Sequence, residues 1–154
     1  MVRASKRATV PARGDYYPTV RAWCQRLGAT ALDVRANEVR LDERGCRIYV
    51  AAVMGPRFEL RVRQLPSSVG RGGADYIVLD RDWVERGRMT LGTVLHECAH
   101  AIQLTRLRER RALRREARLR GRAHPTAVAV RRDHSSHGEP FCRTYVKLLR
   151  AALC

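Results

Sequence analysis

A short HExxH pattern, formed by His96, Glu97 and His100, lies inside an apolar run over residues 90–104. Residues i and i+4 of an α-helix lie on the same face, so both imidazoles can hold one cation. The intervening glutamate then lies beside the ligands, where it can accept a proton from a metal-bound water. The apolar residues recur at roughly helical spacing and predict one buried face: Leu91, Val94, Leu95, Ala99 and Ile102. The pattern predicts a buried helix that carries a metal site, and the alternative is a helix with two surface histidines.

A catalytic zinc site also needs a third protein ligand and one position open to water. Residues 133–141 offer three candidates, His134, His137 and Glu139. A ligand soon after His100 on the same continuous helix could not reach back to the cation. Glycine, proline and serine residues supply a chain reversal before these candidates. Helix-forming residues follow, so the third ligand is expected at or just before the N-terminus of a second helix.

The HExxH pattern followed by the HGxxF pattern of residues 137–141 resembles the SprT-like zinc metallopeptidases, which pair the same two motifs. It is also similar to small uncharacterised metallohydrolases of actinobacteria and their phages. The resemblance implies that His96, His100 and His137 hold Zn²⁺ and that Glu97 is the catalytic base. It also implies a minimal zincin-like domain and the hydrolysis of a peptide bond.

The resemblance covers about residues 90–150 and is weak before them. Many members of the family carry a cysteine-rich zinc ribbon after the protease domain, and we expect the recognition that it provides to be missing here. Another zinc-protease pattern, HExxHxxGxxH, is not met, because Gln103 and Arg106 occupy the positions of its glycine and its third histidine. The residues alone leave Glu139, and then His134, as alternative third ligands.

The periodicity of the remaining sequence predicts an α+β fold with an N-terminal helix and one small, mostly antiparallel sheet. Helices are predicted at residues 19–27, 81–86, 90–120 and 141–153. Strands are predicted at residues 38–41, 46–53, 57–63 and 75–80, the first two joined by a hairpin turn at 42–45. Residues 66–73 are interpreted as a plain connecting loop, and the alternative is a loop that borders the active-site cleft. Residues 76–79 are the first candidate for a sheet edge that pairs with an extended substrate, and residues 57–63 are the alternative.

The length of 154 residues suits one domain that buries about 70% of its unfolded surface. We expect a flexible basic arm at residues 1–14 and a single zincin-like metallohydrolase domain at residues 15–154. No run approaches the ~18 apolar residues of a membrane span, so no membrane partner is expected. The first residues are basic and lack the apolar segment of a secretory signal, so a cytoplasmic location is expected.

The five cysteines form no CxxC pair, which argues against a disulfide framework and against a structural zinc cluster. Cys98 and Cys142 each lie within a few residues of a proposed ligand. We interpret both as small buried apolar residues, which is the usual environment of a free cysteine. The alternative is a redox-sensitive pair beside the metal.

The chain carries a net charge of +16, and residues 106–122 contain nine arginines against two glutamates. Along a helix, such a run can neutralise several phosphates of a nucleic acid. It contains no aromatic residue to stack on bases, so the expected binding is non-specific. Only two of the 31 basic residues are lysine, a bias that a GC-rich genome also produces, so the alternative is a solvated basic face. The candidate phosphate contacts are Arg110, Arg111, Arg114, Arg115 and Arg118.

These patterns predict a zinc-dependent metallopeptidase or metallohydrolase, in which Zn²⁺ and Glu97 activate water toward a peptide or amide bond. The expected substrate is a protein or peptide, and the family resemblance implies one associated with DNA. Tyr145 and Arg143 are candidates for stabilising the oxyanion, although a buried helix position is the favoured interpretation of Tyr145. The alternative function is a basic nucleic-acid-binding or interaction protein with a structural or vestigial zinc site. A fourth ligand, from His134 or Cys142, would mark that alternative.

Overall fold

The computed structural model describes residues 18–121 and 137–154. The expected arm at residues 1–14 and the alternative ligand His134 lie outside the described residues. The helices of the described part are α1 (Pro18–Arg26), α2 (Thr30–Glu38), α3 (Glu43–Met54), α4 (Arg81–Glu85), α5 (Leu91–Leu119) and α6 (Glu139–Leu153). Its strands are β1 (Glu59–Arg63), β2 (Gly70–Gly72) and β3 (Tyr76–Asp80). The predicted α+β class is confirmed.

The three strands form one mixed sheet with β3 in the middle, in the order β1-β3-β2. β1 runs parallel to β3 with Leu60 opposite Ile77, and β2 runs antiparallel to β3 with Arg71 opposite Val78. The prediction of a mostly antiparallel sheet is wrong, because the chain goes from β1 to the far edge, forms β2 there and returns to the middle. Residues 76–79 consequently lie in a strand that is paired on both sides, so they cannot provide a sheet edge for a substrate.

The hairpin predicted at residues 38–53 is also wrong, because its second half forms α3. Asp42 is the N-cap residue of this helix, and its side chain accepts a 2.7 Å hydrogen bond from the backbone N–H of Gly45. Cys46 and Val50 lie about one turn apart, and both are buried. A short apolar run fits a buried strand and a buried helix equally well, and here the capping interaction and the one-sided burial favour the helix.

The predicted N-terminal helix is confirmed as α1, which ends two residues before Gly28, a residue with a φ of 65°. Its inner face carries the buried Val20 and Cys24. Helix α2 follows and has no counterpart among the predicted elements. Its Asp33 side chain accepts a 2.7 Å hydrogen bond from the Tyr145 hydroxyl of α6. A contact between distant segments therefore helps to hold α2 in place.

Helix α5 lies at the centre of the fold, and its N-terminal half is covered by the sheet and by α2, α3 and α6. Thr90 caps it by accepting a 3.1 Å hydrogen bond from the backbone N–H of Thr93. All residues from Val94 to Ala99 are fully or almost fully buried. From Arg108 onward, every residue of α5 is exposed or half-buried. In the described residues, no helix combines the length and the apolar character needed to cross a bilayer.

Candidate metal centre

Three imidazoles converge where α5 meets the start of α6. His96 and His100 lie one turn apart on α5, and His137 lies two residues before α6 begins. Their Nε2 atoms form a triangle in which each of the three nitrogen–nitrogen distances is 3.2 Å. Among the described residues, these side chains form a group close enough to bind a metal ion. The structure therefore brings together the two histidines of HExxH and the histidine of HGxxF.

The dimensions of this triangle suit a small tetrahedral cation. Metal–nitrogen distances of about 2.0–2.1 Å place two ligand nitrogens of a tetrahedral zinc ion about 3.3–3.4 Å apart. The observed separations of 3.2 Å are close to that value. Three ring nitrogens aimed at one point cannot all be satisfied by hydrogen bonds to one another, because each ring nitrogen donates or accepts along a single direction. A cation bound at the centre satisfies all three.

The environment keeps the three imidazoles neutral, which is the form that binds metal. Burial, together with smaller effects of the neighbouring His100 and His137, lowers the pKa of His96 to about 2. Burial, together with His137, lowers the pKa of His100 to about 4. Burial also lowers the pKa of His137. At neutral pH no proton has to leave these rings before they can coordinate a metal.

The ring of Phe141 packs against all three imidazoles. Its centroid lies 4.9 Å from His96, 4.5 Å from His100 and 4.9 Å from His137, and the side chain is fully buried. In the sequence, Phe141 stands out only as the last residue of the HGxxF pattern. The available signal was its position four residues after His137, because a residue at that spacing lies about one turn along the helix. Phe141 is thus the apolar support on which the histidine rings are arranged.

Glu97 follows His96 directly and is almost completely buried, with 7% of its surface exposed. Burial raises the pKa of its carboxyl group from 4.5 to about 7, and a hydrogen bond from the backbone of Gly72 opposes part of that rise. A carboxylate with a pKa near neutrality can both accept and return a proton at physiological pH. The buried carboxyl group of Glu97 can therefore take up and release a proton near neutral pH.

Strand β2 lies directly against this part of α5, so the interpretation of residues 66–73 as a plain connector is wrong. A Cβ atom on Gly72 would lie 2.7 Å from the Glu97 carbonyl oxygen and 2.7 Å from the His100 Cβ. Only glycine permits such an approach of a strand to a helix. The alternation of glycines at 70 and 72, next to an apolar strand, was the available sequence signal.

The other candidate side chains face different partners. Glu139 is half exposed and forms a 2.8 Å ion pair with Arg143, away from the three imidazoles. The Arg143 guanidinium also lies 5.7 Å from the centre of the Trp23 ring. The Tyr145 hydroxyl donates to Asp33, and burial raises the pKa of this phenol well above its ordinary value. Its predicted place as a buried helix residue is confirmed, at 3% exposure.

Cys98 and Cys142 are both buried and free, as expected of small apolar residues. Burial raises the pKa of the Cys98 thiol to about 12 and that of Cys142 to about 11. The Cys142 thiol donates to the backbone carbonyl of His137 at 3.5 Å. Neither sulfur belongs to the group of potential metal ligands among the described residues.

In the basic half of α5, most of the arginines lie on one side of the helix and the glutamates on the other. With 3.6 residues per turn, seven arginines fall within about 200° of the helix circumference: Arg106, Arg108, Arg110, Arg111, Arg114, Arg115 and Arg118. Glu109 and Glu116 lie together on the opposite side, where Glu116 pairs with Arg120 at 2.5 Å. Arg106 donates to the Thr144 hydroxyl and Arg108 pairs with Asp75. Arg111, Arg114, Arg115 and Arg118 pair with no carboxylate in the described part of the chain.

Comparison of the chain with protein-family models, with curated proteins and with solved structures gave no match in any of the three.

Proposed function

We propose that this protein is a zinc-dependent metallohydrolase that cleaves a peptide or amide bond. The observation that carries the proposal is the convergence of the Nε2 atoms of His96, His100 and His137, each 3.2 Å from the other two. Three neutral imidazoles leave a tetrahedral zinc ion one position for water, which is the arrangement of hydrolytic zinc sites. The similarity of the two histidine motifs to those of SprT-like metallopeptidases supports the same proposal.

Each residue of the site has a defined part in this chemistry. When bound, zinc would lower the pKa of a water molecule to about 7 and polarise the carbonyl of the substrate. Glu97, with a pKa raised by burial to about 7, would serve as the base that takes a proton from the attacking water and returns it to the leaving amine. Phe141 holds the three rings in place and excludes water from their inner side.

The sheet edge nearest the site belongs to β2 and not to β3. In the antiparallel ladder, the Val69 carbonyl accepts from the Asp80 N–H, and the Gly73 N–H donates to the Tyr76 carbonyl. Because alternate residues of a strand direct their backbone groups to opposite sides, Gly70 directs its own N–H and carbonyl away from β3. The outward-facing edge at Gly70, beside Glu97, is where we place an extended substrate chain.

Metal content and hydrolysis test the proposal together. Wild type should bind about one zinc per chain, as measured by mass spectrometry under native conditions, and His137→Ala should bind none. Glu139→Gln is the matched control and should retain zinc, because its carboxylate pairs with Arg143. Full zinc occupancy of His137→Ala would transfer the third-ligand role to Glu139 or His134.

Activity separates an enzyme from a structural zinc site. Glu97→Gln should retain zinc and lose the hydrolysis of unfolded protein substrates that wild type shows, by about 10²–10⁴-fold for loss of a general base. The control is Glu109→Gln on the exposed part of the same helix. Equal activity of Glu97→Gln and wild type would contradict the proposed role of the glutamate.

The arginine face of α5 supports non-specific nucleic-acid binding as a second function, either beside hydrolysis or in place of it. The specific observation is charge segregation: the arginines cover one side of an exposed helix and both glutamates lie on the other. Replacing Arg111, Arg114 and Arg118 together by alanine should weaken DNA binding and reduce the log–log salt slope by about 0.9 for each lost phosphate contact. Arg120→Ala is the matched control, because Arg120 already pairs with Glu116. Binding that does not depend on salt would rule out this function.

A further inference from the structure

Strand β2 contacts Glu97 through two glycines that meet different parts of α5. A Cβ atom on Gly70 would lie 2.7 Å from Glu97 Cγ, 3.1 Å from Cδ and 3.1 Å from Oε1. The three atoms nearest to it thus all belong to the Glu97 side chain. A Cβ atom on Gly72 would instead meet the Glu97 carbonyl oxygen, the His100 Cβ and the Ala101 backbone nitrogen, at 2.7, 2.7 and 2.8 Å. Gly72 therefore allows the strand to pack closely on the α5 backbone, whereas Gly70 leaves space for the Glu97 side chain.

The backbone of β2 also holds the carboxylate. The pairing of Val69 and Gly73 with β3 directs the N–H of Gly72 away from the sheet. The backbone of Gly72 forms a hydrogen bond with the Glu97 carboxylate. The carboxylate is thus held by a hydrogen bond at Gly72 and confined by van der Waals contact at Gly70.

The contact with Gly70 limits the positions that the Glu97 carboxylate can occupy. Carbon atoms in contact are normally about 3.5–4.0 Å apart, so a methyl group on Gly70 would displace the Glu97 side chain by about 1 Å. A displacement of that size can cost about 10²-fold in rate when a reacting group must be precisely placed. The three histidine rings are not among the nearest neighbours of Gly70, so zinc binding should survive.

We propose that Gly70 is a positioning residue, whose missing side chain fixes the Glu97 carboxylate at the place where it can act as the base. The inference rests on the proposed hydrolytic function for its consequence in catalysis. Its steric basis, the exclusion of a Cβ atom by the Glu97 side chain, is independent of that function. The two can therefore be tested separately.

The test is a double-mutant cycle on the full chain, with Gly70→Ala, Glu97→Ala and the combined variant. Urea unfolding of the zinc-free proteins measures the steric coupling. Gly70→Ala should lower the urea midpoint in the wild-type background. It should not lower the midpoint in the Glu97→Ala background, because the new methyl group then occupies space that the glutamate has vacated. Equal losses in the two backgrounds would overturn the proposal.

Gly72→Ala is the matched control. Its clashes involve the α5 backbone and the His100 Cβ, which removal of the Glu97 side chain cannot relieve, so its loss of stability should be the same in both backgrounds. If Gly70→Ala alone does not fold, folding of the Gly70→Ala/Glu97→Ala protein supports the proposal. Failure of that double variant to fold contradicts it.

Kinetics and metal content complete the test. Gly70→Ala should keep one zinc per chain and reduce kcat by about 10²-fold, with KM within about twofold of wild type. Unchanged kcat in a zinc-loaded, folded variant would overturn the positioning role. Absence of hydrolysis by wild type would instead count against the proposed function, while the unfolding cycle would still decide whether Gly70 confines Glu97.

Discussion

Replacing Glu97 by glutamine should stabilise the zinc-free protein at neutral and alkaline pH. The carboxyl group is 7% exposed, and burial raises its pKa from 4.5 to about 7. Between these two values the folded protein binds a proton that the unfolded chain has released. The free energy of unfolding therefore falls as the pH rises from 4.5 to 7. Glutamine has nearly the same shape, can accept the same hydrogen bond from Gly72 and does not ionise.

The size of the effect follows from the pKa difference. Each unit corresponds to about 1.4 kcal/mol, so a rise from 4.5 to about 7 costs the folded wild type about 3 kcal/mol once the pH exceeds 7. Glu97→Gln should therefore be about 3 kcal/mol more stable than wild type at pH 8. At pH 4 both side chains are neutral in the folded and the unfolded states, and the two proteins should have similar stability.

The assay is urea unfolding followed by the fluorescence of Trp23 and Trp83, with a chelator present, at pH 4 and pH 8. The histidines titrate in both proteins, so the difference between the two unfolding free energies isolates residue 97. Glu109→Gln, on the exposed half of α5, is the control and should change stability little at either pH. If the two proteins differed by the same free energy of unfolding at pH 4 and pH 8, the conclusion that ionisation of the buried Glu97 destabilises the folded protein would be refuted.

Three further predictions concern the imidazoles and their support. The lowered pKa of His96 means that the unfolded chain binds more protons below pH 6.5. The zinc-free Glu97→Gln protein, in which residue 97 no longer titrates, should therefore lose about 2 kcal/mol between pH 6.5 and 4.5 from His96, with a further contribution from the more exposed His100. Unfolding at a series of pH values measures this loss, and a stability that does not change over the interval would contradict it. Phe141→Ala should cost about 3–5 kcal/mol of stability and reduce zinc affinity about 10–100-fold, measured by competition with a chromophoric chelator. Unchanged affinity in the folded variant would show that the ring does not orient the ligands. Tyr145→Phe should cost about 1–3 kcal/mol, because Asp33 loses the 2.7 Å hydrogen bond from the phenol and keeps the longer, 3.3 Å one from Asn37, without changing kcat. Loss of hydrolysis with zinc retained would instead assign the phenol to the reaction.

The stability cost of Glu97 agrees with a functional role for the residue. A fold selected only for stability would place an apolar side chain at this buried position, since burying an ionisable group without a counter-charge is unfavourable. Strongly shifted pKa values cluster at functional sites for this reason. The glycines of β2 lie against the Glu97 side chain and against the His100 Cβ, so the strand, the glutamate and one of the imidazoles are close neighbours.

Errors in the sequence-based predictions fall where the outcome depends on distant segments. Residues 46–53 satisfy a strand pattern as well as a helix pattern, and the helix is decided by the Asp42 cap and by packing against α5. Strand β2 has three residues and two glycines, so its own sequence carries almost no hydrophobic periodicity. The position of β3 between β1 and β2 depends on the path of the chain, which no local pattern records.

By itself, the sequence determined the helix that carries His96, Glu97 and His100, together with its change from an apolar to a basic half. These features repeat with the helical period or involve neighbours within one turn, so they are contained in a short stretch of chain. Only the tertiary structure decided that His137 lies 3.2 Å from both ring nitrogens, that Phe141 supports all three rings and that Gly70 confines Glu97. Those contacts join residues that are far apart in the chain, and they form because apolar faces of separate elements are buried against one another.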